Sequence, residues 1–479
     1  MNAFKNKVLG MRSSSFGPTT RANKRINYFI CNFGKAYKTW VATMRDEIPL
    51  SRPDPVIKKL DNPLFHSIFT PELNTLAQIF KKYNHELKIA GGAVRDILMD
   101  IKPIDLDFAT DATPQEMKNM FEEENIRMIN NNGEKHGTIT SRINDKLNFE
   151  ITTLRIDTHT NGRHAEVEFT KDWELDALRR DLTINSMFLD LEGRIYDYFF
   201  GYDDLMKRRV KFVGNPVHRI KEDYLRILRY FRFYGKISDQ PDAHDEYIIT
   251  AIKENIHGLE IISGERIWSE WSKILSGNYV KEITFKMLEC GIARFVGLPE
   301  NPNIEKFEVI CNISKKNNIS LQPITFLAVL LKNESEVFEL HRRLKLSAYD
   351  RDLALFLISF WEDKPSIDLL KFYKGILIHW KGNVVNAKEY ICELLKCKQY
   401  FDLAENIKNL IIPRFPVSGN MLKPYVERGK VMGIVIKELK NIWLDKNFEI
   451  SAEELLQEVP RIVSELEDNS EKHNMFLNK

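Results

Sequence analysis

Two aspartates separated by a single residue, Asp105 and Asp107, lie in an apolar stretch of the sequence. Residues two apart on a β-strand point to the same face, so the two carboxylates would converge on one spot. Their repulsion would be costly unless a cation lies between them, and hard oxygen ligands beside a phosphate substrate indicate Mg²⁺. A third acid, Glu150, lies in a second strand-like run, in which Phe149 and Ile151 would face the core. Three carboxylates on adjacent strands fit a two-metal site, although an isolated Asp-x-Asp is a solvated surface pair in most proteins.

A glycine pair, Gly91-Gly92, follows a predicted strand and precedes a predicted helix. Glycine lets backbone N–H groups approach an anion closely, and Arg95 adds a guanidinium fork for phosphate. Most Gly-Gly turns only connect a strand to a helix, so the turn alone is weak evidence for phosphate binding. The carboxylates that follow it in the sequence strengthen this interpretation. Together they indicate metal-assisted chemistry on a phosphate group.

Two further segments combine carboxylates with guanidinium groups. Arg179-Arg180-Asp181 is the first, and by itself it also fits the ordinary charged start of a helix. The second has one acid and three arginines at every third position of a predicted helix: Asp223, Arg226, Arg229 and Arg232. Each step of three residues turns about −60° around a helix, so these four side chains cannot all contact one atom.

Asp223 beside Arg226 predicts a fixed hydrogen-bonding edge, because a carboxylate only accepts hydrogen bonds and a guanidinium only donates them. Cytosine and adenine each present an amino donor beside a ring-nitrogen acceptor, which fits this edge, whereas uracil and guanine present the reverse order. The pattern therefore predicts selection of C and A without a nucleic-acid template. Arg229 and Arg232, further round the helix, are expected to bind phosphates.

The elements that position these residues change type along the chain. From about residue 65 to 200, short β-rich runs alternate with helical ones, which indicates a mixed α/β domain. Thr113 and Glu116 have the spacing of a capping box, with Pro114 at the first helical position, so a helix should start there. Beyond about residue 216, apolar residues recur at helical spacing, and the rest of the chain is predicted to be mainly helical.

The formal net charge of +2 hides an uneven distribution. Residues 1–45 hold nine of the 70 basic residues and no acid, so the remainder has 61 basic against 68 acidic residues. Nucleic acid would therefore be bound through a local basic surface. The basic, hydroxyl-rich leader is typical of a mitochondrial transit peptide, or alternatively of a disordered arm that touches RNA. Met44 is a candidate second start, and we expect cytoplasmic and nuclear forms beside the mitochondrial one.

Membrane insertion and disulfide frameworks are not expected. No apolar run approaches the roughly 18–20 residues of a membrane-spanning helix. The five cysteines are scattered, without a C-x-x-C pair, which is typical of free thiols in a reducing compartment.

Taken together, these segments resemble the class II CCA-adding enzymes, the tRNA nucleotidyltransferases. The resemblance covers roughly residues 60 to 460 and depends on GGAVRD, DLDFAT, INNNGEKHGTIT, NFEITTLRID, RRDLTINSM, EDYLRILRYFRF, SGERIW and FPVSGNML. It implies an α+β fold: a polymerase β-like nucleotidyltransferase head with a mixed sheet and helices, followed by all-α neck, body and tail domains. We expect a transit peptide at 1–45, the catalytic head at 60–200, the base-selecting neck at 201–285, the body at 286–405 and the tRNA-binding tail at 406–479.

The resemblance also implies a role for each site residue. Asp105 and Asp107 would bind Mg²⁺, and Glu150 would complete the catalytic carboxylates. Gly92 and Arg95 would contact the nucleotide. The remaining contacts would be Arg180 and Asp181 on phosphate and ribose, Asp223 and Arg226 on the base, and Arg229 and Arg232 on the triphosphate.

The implied substrates are CTP, ATP and tRNA that lacks all or part of its 3′ CCA. A stretch from about Phe121 to Ser141 corresponds to a flexible loop that the family uses to switch from C to A, and its full length favours complete CCA addition. Two alternatives remain open: a poly(A) polymerase of the same superfamily, and a non-catalytic tRNA-binding protein that keeps the fold. The sequence is equally compatible with a monomer and a homodimer.

Overall fold

The structure is a computed structural model that describes residues 49–129, 131–160, 165–363, 368–426 and 429–466. The predicted transit peptide and Met44 lie outside the described residues. The chain divides into two compact units, Met1–Asn255 and Ile256–Lys479.

The strands of the first unit are β1 (Val56–Lys59), β2 (Leu87–Ala90), β3 (Asp107–Thr110), β4 (Arg127–Ile129), β5 (Thr138–Ile143), β6 (Leu147–Thr153), β7 (Arg155–Thr160), β8 (Ala165–Phe169), β9 (Phe188–Asp190) and β10 (Arg194–Tyr196). Eight of them form one sheet in the order β1-β10-β9-β2-β3-β6-β5-β4, while β7 and β8 pair separately. Within the large sheet, β3 and β6 run parallel and the other neighbours run antiparallel. The predicted mixed sheet is therefore confirmed.

The helices of the first unit are α1 (Pro63–Ser67), α2 (Pro71–Lys82), α3 (Gly92–Leu98), α4 (Pro114–Glu123), α5 (Trp173–Leu178), α6 (Gly201–Met206), α7 (Pro216–Glu222), α8 (Arg226–Ile237) and α9 (Glu246–Asn255), with 3₁₀ turns at Asn131–His136 and Thr183–Asn185. Helix α4 begins as predicted: Thr113 accepts the N–H of Glu116, the Glu116 side chain returns to the Thr113 N–H, and Pro114 takes the first position.

Strand β2 lies at the centre of the sheet, and all four of its residues are buried. Three of the four are apolar, and the fourth, Lys88, is buried with its ammonium group over the Trp173 ring, so the strand is covered on both faces. On β3 and β6, Phe108 and Phe149 pack edge to face with ring centroids 5.8 Å apart. Because side chains alternate along a strand, this packing directs the residues on either side of each phenylalanine to the opposite face of the sheet.

The second unit is helical throughout its described residues. Its helices are α10 (Gly264–Leu275), α11 (Val280–Glu289), α12 (Ala293–Val296), α13 (Ile304–Asn317), α14 (Pro323–Ala328), α15 (Glu334–Leu344), α16 (Ala348–Phe360), α17 (Leu369–His379), α18 (Val384–Cys397), α19 (Phe401–Asn409), α20 (Gly419–Leu422), α21 (Lys430–Asp445) and α22 (Ala452–Gln457), after a 3₁₀ turn at Ile256–Ile261. The predicted change from a mixed sheet to helices along the chain is confirmed. Among the described helices of both units, none has the length and apolar character needed to cross a membrane.

Candidate active site

The three predicted carboxylates lie on or just before two neighbouring parallel strands. Asp107 is the first residue of β3, and its register partner on β6 is Glu150. Asp105 precedes the strand, so the expectation that both aspartates lie on one strand is wrong. Partial removal from water raises the pKa of Asp107. The negative charges of Glu150 and Asp105 raise this pKa further, whereas the positive charge of Arg180 lowers it. The charges of Glu150 and Asp105 therefore both act on Asp107, although Asp105 does so from a loop.

The oxygen atoms of these carboxylates are chemically suitable ligands for a divalent cation such as Mg²⁺. Among the described residues, no three His, Cys, Asp or Glu side chains form a complete metal-binding group. Mg²⁺ does not need one, because it is usually bound by one or two carboxylates together with water and substrate phosphates. Desolvation, with the neighbouring charges of Glu150 and Asp105, raises the pKa of Asp107, and a bound cation would favour its ionised form.

Gly91, the first residue of the glycine turn, has a backbone conformation with positive φ that favours glycine. Gly91 has φ +67° and ψ −118°, and it immediately precedes α3. A Cβ on Gly91 would lie 2.9 Å from Nη1 of Arg180, whereas a Cβ on Gly92 would meet only ordinary contacts. The structure thus places the predicted turn directly against the predicted Arg-Arg-Asp segment.

Arg95, on α3, is buried and firmly held. Its Nη1 donates to Oδ1 of Asn185 at 2.5 Å, and its Nε donates to Oδ1 of Asp96 at 3.0 Å. Lys236 also contacts Asp96, with Nζ 2.9 Å from Oδ1. The guanidinium of Arg95 is therefore held from two sides.

Asp176 organises the Arg-Arg-Asp segment. It is almost fully buried, and its Oδ1 accepts Nε of Arg179 at 2.8 Å while its Oδ2 accepts Nε and Nη2 of Arg180 at 3.2 and 3.1 Å. Burial alone would raise the pKa of Asp176, but the charges of Arg179 and Arg180 outweigh it and lower the pKa. Nη1 of Arg180 then donates to the carbonyl of Asn185 at 3.2 Å, beside Gly91. Arg180 is thus fixed between the carboxylates and the glycine turn.

Asp181 links this segment to α8. Nε of Arg229 donates to its Oδ2 at 2.6 Å, and the N–H of Leu182 donates to its Oδ1 at 2.8 Å. Burial opposes ionisation of Asp181, but Arg229 and, less strongly, Arg226 lower its pKa to about 2. Asn185 completes the link, because its Nδ2 lies 3.4 Å from Oδ1 of Asp181 while its Oδ1 accepts Arg95.

Asp223 and Arg226 do not share one helix as predicted. Helix α7 ends at Glu222, Asp223 has extended backbone angles, and α8 begins at Arg226. The backbone N–H of Arg226 donates to the carbonyl of Asp223, whose own carboxylate accepts the N–H of Leu225 at 3.2 Å. The Arg226 guanidinium donates from Nη1 to Glu222 at 2.5 Å and to the carbonyl of Arg219, and from Nη2 to the carbonyl of Arg179. The two residues remain adjacent, but at a junction between helices.

The sequence predictions missed three residues that contact arginines of the site. Asp176 lies three and four positions before Arg179 and Arg180, a spacing that favours helical ion pairs and was a usable signal. Asn185 and Phe233 both contact Arg95, which lies far from them in the chain, and no local spacing predicts those contacts.

The predicted loop region between about residues 121 and 141 is partly core. Phe121 is fully buried, and the following residues form β4, a 3₁₀ turn and β5 within the described ranges. His136 lies in this 3₁₀ turn, and its carbonyl accepts the guanidinium of Arg155.

The chain matches known families and proteins over most of its length. Residues 87–211 match the family "Poly A polymerase head domain", and residues 245–301 match "Probable RNA and SrmB- binding site of polymerase A". The human protein "CCA tRNA nucleotidyltransferase 1, mitochondrial" is 47% identical over 409 residues, which covers 84% of this chain and 93% of the relative. The zebrafish (Danio rerio) protein of the same name is 47% identical over 397 residues, covering 82% of this chain and 91% of its own.

This chain belongs to the class II CCA-adding enzymes.

It is a CCA tRNA nucleotidyltransferase, which decides between the two enzyme classes that the sequence left open. The fold agrees. The CCA-adding enzyme of Bacillus stearothermophilus in complex with CTP has a TM-score of 0.64 at 20% identity and covers 85% of this chain and 100% of its own. The Thermotoga maritima CCA-adding enzyme complexed with tRNA has a TM-score of 0.58 at 19% identity, covering 86% and 99%.

Proposed function

We propose that this enzyme adds C, C and A in turn to the 3′ end of tRNA, using CTP and ATP, by two-metal nucleotidyl transfer. The observation that carries the proposal is the register pairing of Asp107 with Glu150 next to a fixed Arg180. In the reaction, the 3′-oxygen of tRNA forms a bond to the α-phosphorus of the nucleotide as the hydroxyl proton leaves. The bond between the α-phosphorus and its bridging oxygen breaks, and pyrophosphate leaves with the electron pair.

Asp105 and Asp107 would hold Mg²⁺, and Glu150 would complete the carboxylates around it. Bound Mg²⁺ would activate the attacking hydroxyl and compensate the negative charge of the triphosphate. All three carboxylate residues are exposed, so substrate oxygens can complete the coordination.

The phosphates would be bound by groups that are already oriented. Gly92 would present a backbone N–H at the start of α3, where Arg95 is held by Asp96 and Asn185. Arg180, Asp181, Arg229 and Arg232 would surround the remaining phosphate oxygens and the ribose. Asp181 would act mainly by fixing Arg229, because its carboxylate is buried in that ion pair. Such preorganised donors bind developing charge without first having to rearrange.

Selection of C and A would depend on Asp223 and Arg226. Among the described residues, three of the five N–H groups of the Arg226 guanidinium are used by Glu222 and two backbone carbonyls. The Nε–H and one Nη2–H are left as donors for N3 of cytosine or N1 of adenine. Asp223 would accept the amino group of either base. Glu222 thus joins the pair as the residue that fixes the donor.

The reaction is tested with tRNA that lacks its 3′ CCA and with CTP and ATP supplied singly and together. Addition limited to two C and one A is expected, whereas long A tails with ATP alone would refute the proposal. Asp105→Ala should abolish incorporation of both nucleotides while leaving tRNA affinity nearly unchanged, and substantial remaining turnover would contradict the metal assignment. Glu192→Ala is the matched control, because it removes an exposed acid in the turn between β9 and β10, at the end of the sheet opposite Gly91.

The base-selecting edge has its own test. Arg226→Ala should allow incorporation of UTP or GTP, whereas Arg229→Ala should weaken all nucleotides alike because phosphates are common to them. If Arg226→Ala still excluded UTP and GTP as the wild-type enzyme does, the proposed role of Asp223 and Arg226 in base selection would be wrong. The proposed metal chemistry would not be affected by that result.

A further inference from the structure

Phe233 lies among three arginines of the site. The guanidinium carbon of Arg232 is 4.4 Å from the centroid of its ring, that of Arg95 is 4.9 Å away, and that of Arg229 is 5.5 Å away. Arg232 and Arg229 share α8 with Phe233, whereas Arg95 belongs to α3. The ring is 5% exposed, so it is enclosed by these groups and the core.

Three guanidinium groups around one point would repel one another without compensation. Asp96 compensates Arg95, and Asp181 compensates Arg229. The electron-rich faces of the Phe233 ring add an attraction that is directional, because a guanidinium is favoured over the ring and within about 6 Å of its centroid. An aliphatic side chain would fill the same space without this preference.

We infer that Phe233 is a positioning residue for nucleotide binding: its ring fixes the orientation in which Arg95, Arg229 and Arg232 meet the triphosphate. This inference rests on the proposed function, which gives these arginines the phosphate groups. The ring itself touches neither base nor phosphate in this scheme. It reduces the rotamer freedom that three long side chains would otherwise lose on binding.

The effect should be the same for CTP and ATP, because the triphosphate is common to both. In Phe233→Leu, less preorganised arginines should raise the KM of each nucleotide by about tenfold, because the cost of ordering these side chains would then fall on nucleotide binding. The kcat values should change much less, because the arginines still reach the phosphates once the substrate is bound. Phe233→Tyr keeps the ring and should restore most of the affinity.

Phe231→Leu is the matched control. Phe231 is fully buried on the same helix, and its ring packs against Tyr230 and His244. Within the described part of the chain, the ring contacts of the three arginines are with Phe233. Both leucine variants remove a buried ring and should lower the thermal midpoint similarly, so a change of KM confined to Phe233→Leu separates positioning from general destabilisation.

The experiment measures KM and kcat for single-nucleotide addition to tRNA, together with inhibition by inorganic tripolyphosphate. Weaker inhibition and a raised KM in Phe233→Leu, with recovery in Phe233→Tyr, are the expected results. An unchanged KM in Phe233→Leu, or an equal change in Phe231→Leu, would overturn the inference. Arg229→Ala separates failure of the proposed phosphate site from failure of the role given to the ring. If Arg229→Ala leaves nucleotide affinity unchanged, the proposed phosphate site is wrong. If Arg229→Ala weakens nucleotide binding but Phe233→Leu does not, only the role of the ring is refuted.

Discussion

Replacing Gly91 with alanine would test how closely the backbone turn and the Arg180 guanidinium must fit. Gly91 has φ +67° and ψ −118°, a combination whose strain costs a residue with a Cβ about 1–3 kcal/mol. The added Cβ would lie 2.9 Å from Nη1 of Arg180. Because an ordinary contact requires about 3.5 Å, the guanidinium would have to move by roughly half an ångström.

That movement should affect catalysis more than folding. Arg180 cannot turn away freely, since Asp176 accepts its Nε and Nη2 and the Asn185 carbonyl accepts its Nη1. A misplacement of about 1 Å at a reacting centre can cost about 100-fold in rate, so half that distance should lower kcat/KM for CTP and ATP by about tenfold.

The matched control for Gly91→Ala is Gly291→Ala, in the second unit. Gly291 has φ +84°, but an added Cβ would meet no atom within 4 Å. The control therefore carries backbone strain without a displaced neighbour. Urea unfolding and single-nucleotide incorporation would be measured for both variants. If Gly91→Ala kept the kcat/KM of the wild-type enzyme, the close packing of Arg180 on the turn would have no part in the reaction.

Other changes have separate readouts. Asp107→Asn should raise the thermal midpoint without divalent cations, because it removes a charge that Glu150 opposes. Mg²⁺ should then stabilise the wild-type protein more than the variant in scanning fluorimetry, and equal stabilisation would argue against a metal at this residue. The pKa of Asp181 is lowered from 3.8 to about 2, so its ionisation contributes about 2 kcal/mol of stability. This stability is fully present above pH 3.8 and is lost as the pH falls through about 2. Arg229→Met should remove most of this acid dependence in unfolding measurements at graded pH. Thr113→Ala should lower the unfolding free energy by about 1 kcal/mol with unchanged nucleotide incorporation, because its side chain only caps a helix.

Local patterns were sufficient to predict where several of the candidate site residues lie in the fold. The pairing of an apolar run with flanking acids predicted Glu150 on a strand next to the aspartates, and the structure has it in register with Asp107. The capping residues predicted the start of α4. Both predictions depend on the spacing of residues within one segment, and this spacing can be read directly from the sequence.

The predictions were wrong where a sequence pattern typical of one helix or strand continued past the end of that element in the structure. Asp223 and Arg226 have the spacing of one helix, but Asp223 has extended backbone angles and separates α7 from α8. Asp105 has the spacing of a strand residue, yet β3 starts two positions later. Contacts such as that of Phe233 with Arg95 depend on tertiary packing between distant segments, and no periodicity within either segment predicts them.

Strand β2 also has a consequence for the newly made protein. Ile89 pairs with Phe108 on one side and with Leu189, a hundred positions further along the chain, on the other. At about 5–20 residues per second, translation would deliver the second partner only about 5–20 s after β2 itself. Throughout that interval a strand whose four residues are all buried in the folded protein has one unpaired edge, which is a template for pairing with another chain. Synthesis of this enzyme therefore includes a stage of high aggregation risk, and slower translation between residues 110 and 188 would prolong it.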